Sequence, residues 1–262
     1  MMQALREALS KIKGRLFWAQ WIGNFLLMLL AAGWLQIPDS HSWQFLFSVL
    51  SGVLLVAAFV WLYTATFRYL LPCAPRPQWW LSCVFLAISV ALWWLLLQPI
   101  DAARAHEGLF AGYWNSQSPH WLRHHLGYSS LVAWQERIYD CSQWVLAGLL
   151  VPPAMETAAC GTRPGWMLRA ARPYRHWLYW LCVLICGWAA TTITWILAGW
   201  APDAGLLGQT FSVIARLGVA YTADILLWCF LLSLIAHYEK DEKGGPNTAL
   251  HTPVLMNNPG KV

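Results

Sequence analysis

From residue 45 to residue 67 the chain passes no charged side chain, and a run of that length and character leaves few folds open. A bilayer core about 30 Å thick is crossed by roughly 20 apolar residues in α-helix, whose own hydrogen bonds satisfy the backbone where water is absent. Comparable runs recur at about 17–37, 78–98, 177–200 and 207–236. None alternates with period two, which argues against a transmembrane barrel. The composition agrees, with 58% of residues hydrophobic and 11% charged, where soluble domains carry charge on about a quarter of theirs. The expected fold is all-α: a polytopic membrane protein of six transmembrane helices forming three in-out-in hairpins.

The fourth crossing is the least obvious. The apolar run 138–151 falls short of a bilayer, so its helix is expected to begin near Ser130 and to stop at Pro152 and Pro153, where the missing amide protons break helical bonding. It then carries Glu136, Arg137 and Asp140 into the outer leaflet. Before it lies 99–130, the longest segment unable to sit in hydrocarbon, expected outside as an amphipathic insertion between helices 3 and 4. Asp101, Arg104 and Glu107 stand at i, i+3 steps there, a self-paired polar face suited to a surface helix. Ser118-Pro119 reads as the start of a short helix carrying His120, Arg123, His124 and His125.

Basic residues set the expected threading. All but four of the 17 Lys and Arg fall at the N-terminus, in the second and fourth connections, and in the C-terminal tail. The positive-inside rule then places both termini in the cytoplasm of a cell inner membrane. Tryptophans, which prefer headgroup level, fall at both predicted ends of the helices, as Trp79, Trp80, Trp177 and Trp180 on the inner side and Trp93, Trp94, Trp195 and Trp200 on the outer. Residues 1–16 read as a cytoplasmic interfacial helix, 17–236 as the six-helix domain, and 237–262 as a disordered cytoplasmic tail. A basic start before an apolar run also suits a secretory signal. The length of that run and the want of a small-x-small site favour an uncleaved helix.

A shift of 164 positions aligns Gly23, Pro38, Asp39, Phe47, Ser48 and Val49 with Gly187, Pro202, Asp203, Phe211, Ser212 and Val213, as an internal repeat of hairpins would. Pro99-x-Asp101-x-x-Arg104 resembles the signature that mitochondrial carriers place after odd-numbered helices. Neither Pro38 nor Pro202 is followed by that acid and base, and the match is read as chance.

Ionisable groups at membrane depth are functional candidates by default. Asp224 is the deepest, a relay for protons or ions or else a structural polar contact, with Asn24, Ser89, Thr191, Thr192 and Thr194 as possible partners. Arg216, two turns away, is expected to reach the outer interface. Arg137 and Asp140 are expected to pair at i, i+3, and Glu136 and Asp140 to repel. The seven cysteines suggest no disulfide framework, and Cys182 and Cys186 read as packing residues.

No motif calls for a cofactor or metal, and nucleic acid is not an expected partner. The chain is expected to meet the lipid bilayer, and other membrane subunits or further copies of itself. The reading favoured is non-enzymatic, a small transporter or the membrane subunit of a complex. The alternative is an enzyme at the outer face acting on lipid or envelope material through the His, Glu and Asp of the external segment.

Overall fold

The computed structural model describes residues 14–38, 41–73, 76–125, 127–200 and 205–240, excepting the side chains of Glu107, Leu122, His124, His125, Ala198 and Lys240. The expected N-terminal interfacial helix, the tail beyond residue 240 and the two Pro-Asp turns lie wholly or mostly outside the described residues. The rest is helical, with no strand among the described residues. In chain order the helices are α1 (Gly14–Trp34), α2 (Ser42–Leu70), α3 (Trp79–Arg104), α4 (Glu107–Gln117), α5 (His120–His125), α6 (Tyr128–Cys160), α7 (Trp166–Ala170), α8 (Trp177–Gly199) and α9 (Leu206–Lys240). A 3₁₀ turn, Pro173–Arg175, precedes α8.

Five helices, α1, α2, α3, α8 and α9, are long and apolar enough to cross a membrane. Their outward faces show why: Phe45, Leu46, Phe47, Leu50, Val53 and Leu54 of α2 are all exposed, an apolar surface far larger than a water-soluble monomer carries. The sixth long helix, α6, is not in that apolar set, yet it is the hub. It packs against α2, α3, α4, α7 and α8, while α9 closes a ring by touching both α8 and α1. A helix lined by protein rather than lipid has no need of an apolar surface all round.

The ring has two distinct ends. At one, here the tip end, Trp34 of α1 donates to Ser48 O of α2 at 2.8 Å, Arg104 meets Asp140, and Arg216 of α9 reaches Leu197 O of α8. At the other, the basic end, Arg68 donates to Pro77 O, Arg169 to Glu156, and Arg172 to Glu239 O. These pairings make α1–α2, α3–α6 and α8–α9 antiparallel hairpins with their tips on one side.

Helix α6 departs from its expected end. It continues through Pro152 and Pro153 to Cys160, and Ala154 to Cys160 are all buried. Each proline strips a hydrogen bond from the carbonyl four residues before it, here Gly148 and Leu149. Both carbonyls are answered from the 3₁₀ turn and α8: Tyr179 Oη donates to Gly148 O at 2.5 Å, and Tyr174 Oη donates to Leu149 O. Burial, and then the neighbouring Glu239, raise the Tyr174 phenol above its ordinary range. The helix stops instead at Gly161, whose φ of 76° lies in the left-handed region that glycine favours.

Two further boundaries move for the same reason, tertiary packing overriding a local stop. Helix α3 runs through Pro99 to Arg104, so Asp101 and Arg104 end a long helix and do not begin a separate surface one. Helix α9 runs on to Lys240, with Tyr238 8% and Glu239 4% exposed, so the chain is ordered past the expected boundary at 236.

Candidate functional site

Inside the ring, between α2, α3, α6 and α9, lies a cavity of about 340 Å³. Its walls include Tyr63 of α2, Ser89 and Trp93 of α3, Gln143 and Trp144 of α6, and Trp228 of α9, and none of its lining residues is charged. The volume lies in the range of small-molecule pockets, about 300–1,000 Å³. Helix periodicity explains the lining: Phe59, Tyr63 and Phe67 recur every fourth residue on α2, as do Gln143, Ala147 and Val151 on α6. The polar wall is partly self-satisfied. Tyr63 Oη donates to Asn24 Oδ1 at 3.2 Å, and Ser89 Oγ to Phe85 O at 2.9 Å. The indole N–H of Trp93 is buried with no hydrogen-bond partner among the described residues, while that of Trp228 lies beside the Tyr63 hydroxyl.

The charged residues near the tip end are arranged differently from their sequence expectation. Arg104 bonds Asp140 of α6 at 3.2 Å, across two helices, and makes no ion pair with Asp101. With Asp140 so engaged, Arg137 turns to aromatic rings: its guanidinium carbon lies 4.6 Å from the Trp195 ring centroid, 5.8 Å from Trp188 and 5.9 Å from Trp134. Aromatic faces hold a desolvated cation by their quadrupole. Glu136 makes no ion pair among the described residues. Asp101 and His120 are exposed. The expected external site of His, Glu and Asp includes Glu107 and His124, whose side chains lie outside the described residues. Among the described residues no group of three or more His, Cys, Asp or Glu is placed to hold a metal.

Arg216 turns toward the tip end of the bundle. It donates to Ser212 O at 3.1 Å and to Leu197 O at 2.9 Å, and lies 5.7 Å from the Trp200 ring. Leu197 is among the last carbonyls of α8, which lack helical partners and favour a cation. Asp224 sits one turn along α9 from Trp228, with Oδ1 buried and without a hydrogen-bond partner among the described residues. Of its expected partners, Asn24 bonds Gln20 and Tyr63, Ser89 bonds Phe85 O, and Thr191 bonds Trp188 O. Arg216 and Asp224 are not paired with each other.

At the basic end the structure holds groups that sequence reasoning passed over. Glu156, 3% exposed, pairs with Arg169. Cys73 and Cys160, with Cα atoms 5.4 Å apart, form a disulfide between the segment after α2 and the end of α6. The sequence reading expected no disulfide framework, and the structure sets these two sulfurs together at the basic end. Cys182 and Cys186 are buried free thiols. The sequence signal for Glu156 was its isolation: a single acid beside the double proline and before four arginines.

No protein-family model, no curated protein and no solved structure matches the chain.

Proposed function

We propose that this is an inner-membrane protein of six crossings with both termini in the cytoplasm, holding a small lipophilic molecule between its helices as a transporter or as the membrane subunit of a complex. The observation that carries this reading is the open-sided cavity between α2, α3, α6 and α9. Its support for six crossings is the place of α6, which at 33 residues spans about 50 Å and fills the ring between α3 and α8. The gathering of Arg68, Arg169 and Arg172 at one end supports a cytoplasmic basic face. Non-enzymatic action is favoured because the residues that line the cavity include no acid, base or thiol nucleophile.

Native mass spectrometry of the purified chain and of Ala147→Phe, which fills the cavity, tests the reading. The expected result is a bound small molecule on the wild type that the variant lacks. A wild type with no such adduct would sink the carrier form. A second polypeptide held equally by both proteins would move the reading to the complex subunit.

A further inference from the structure

One cation near the tip end has its faces covered and its edge open. The Arg137 guanidinium of α6 lies among three tryptophan rings, Trp134 on its own helix and Trp188 and Trp195 on α8, the nearest centroid 4.6 Å away. Ring faces compensate the charge, but a guanidinium also carries five N–H donors in its plane. None of them is bonded to a described residue. The Nε is shut off from solvent, whereas the two Nη groups keep accessible surface.

The chain's own acceptors do not fill that edge. Asp140 is taken by Arg104. Glu136, next in sequence and so about 100° round the helix, makes no ion pair among the described residues. Thr192 stands between Trp188 and Trp195 on one face of α8, its hydroxyl oxygen buried and unpartnered among the described residues. One hydroxyl answers at most one donor of the five and brings no negative charge.

Depth decides what else can reach it. Helix α8, with 23 residues, is about 35 Å long, close to the roughly 30 Å of a hydrocarbon core. Trp195 lies one turn from its tip end, and Arg137 one turn nearer the tip than Asp140, so the cation stands at headgroup level. The rings of Trp134, Trp188 and Trp195 are 49%, 41% and 51% exposed, on the flank of the bundle, and none lines the cavity. A planar fork of donors, open sideways at that depth, matches the oxygens of a phosphate.

We propose that Arg137 binds a phosphate group, its Nη edge donating to the phosphate oxygens while the three indoles hold its face. The site is separate from the cavity and stands independently of the carrier reading. Two sources offer the chemistry, the headgroup of an anionic phospholipid and free phosphate.

The test follows thermal unfolding of the full chain, washed in mild detergent, against increasing dioleoylphosphatidylglycerol, dioleoylglycerol or inorganic phosphate. The phospholipid is expected to raise the unfolding temperature; dioleoylglycerol, with the same chains and no phosphate, is not. Arg137→Gln is expected to need about tenfold more phospholipid for the same shift. Arg175→Gln, which removes an exposed charge at the basic end, is expected to titrate as the wild type does. Unfolding without probe shows whether each variant is folded, and Arg137→Lys, which keeps the charge without the fork, is expected to fall between Arg137→Gln and wild type. A shift with inorganic phosphate alone that Arg137→Gln loses assigns the site to free phosphate. Equal shifts with dioleoylglycerol, no shift with any probe, or a wild-type response in both Arg137 variants would overturn the proposal. Equal losses in Arg137→Gln and Arg175→Gln would overturn it too, as the mark of unspecific charge attraction.

Discussion

Two tyrosines make the central helix possible. Pro152 and Pro153 leave the Gly148 and Leu149 carbonyls without helical donors, and Tyr179 and Tyr174 supply the missing protons. Tyr179 is fully buried, so removing its hydroxyl strands a carbonyl in apolar surroundings, at a cost of about 1–3 kcal/mol. Tyr179→Phe should therefore destabilise the protein by that much, and Tyr174→Phe by less, since Tyr174 is only half-buried. Restoring an amide proton at 152 makes the argument specific: in a Pro152→Ala background the helix bonds Gly148 itself, and Tyr179→Phe should cost much less. Denaturation of the four proteins in a double-mutant cycle checks this, and strictly additive losses would refute it. Arginine follows a parallel rule here. Arg68, Arg137 and Arg216 each lie over a tryptophan ring, so tryptophans expected to mark headgroup level also shelter cations.

At the scale of helices, the repeat seen in the sequence acquires a physical meaning at one pair of positions. A Cβ on Gly23 would lie 2.7 Å from Leu62 Cδ2, and a Cβ on Gly187 2.8 Å from Trp144 Cβ. Both glycines admit a side chain of a neighbouring helix, yet they are not equivalent. The Leu62 tip can rotate away, whereas the root of Trp144 moves only with the backbone of α6. Gly23→Ala should thus fall within about 1 kcal/mol of wild type, helped by the better helix propensity of alanine, while Gly187→Ala should cost about 1–3 kcal/mol through overpacking. Comparing their unfolding temperatures decides it, and equal effects would remove the distinction. This is also where legibility divides. The apolar runs of α1, α2, α8 and much of α3 and α9 were readable, because lipid imposes length and composition directly. Helix α6 was readable only at its start. Its continuation depends on tyrosines that lie 25 and 31 residues away in sequence, and no local pattern announces them. The cavity was hidden for the same reason: its wall is shared among four helices, and Trp93 looked like an interfacial residue. Asp224 was visible as a buried charge, but its surroundings depend on which face α9 presents to the ring.

For the whole molecule, the disulfide joins two ends that the chain keeps far apart. Cys73 and Cys160 are separated by 87 positions, and closing a loop of that size removes enough unfolded-state entropy to stabilise a protein by about 2–4 kcal/mol. The oxidised protein should unfold at a temperature several degrees above the reduced one, at roughly 2–4 °C per kcal/mol for a chain of this size. The same bond reports orientation. Under the proposed threading it lies at the basic, cytoplasmic end, where the glutathione pool keeps thiols reduced. In a variant retaining only these two cysteines, acid-quenched cells treated with a maleimide should show two modified thiols by mass, and air-oxidised purified protein should show none. An unmodified pair in the quenched cells would place this end in an oxidising compartment and reverse the threading. The stabilisation on oxidation holds for either orientation, because it depends only on where the ring is tied. The two readouts therefore separate the fold of the bundle from its direction in the membrane.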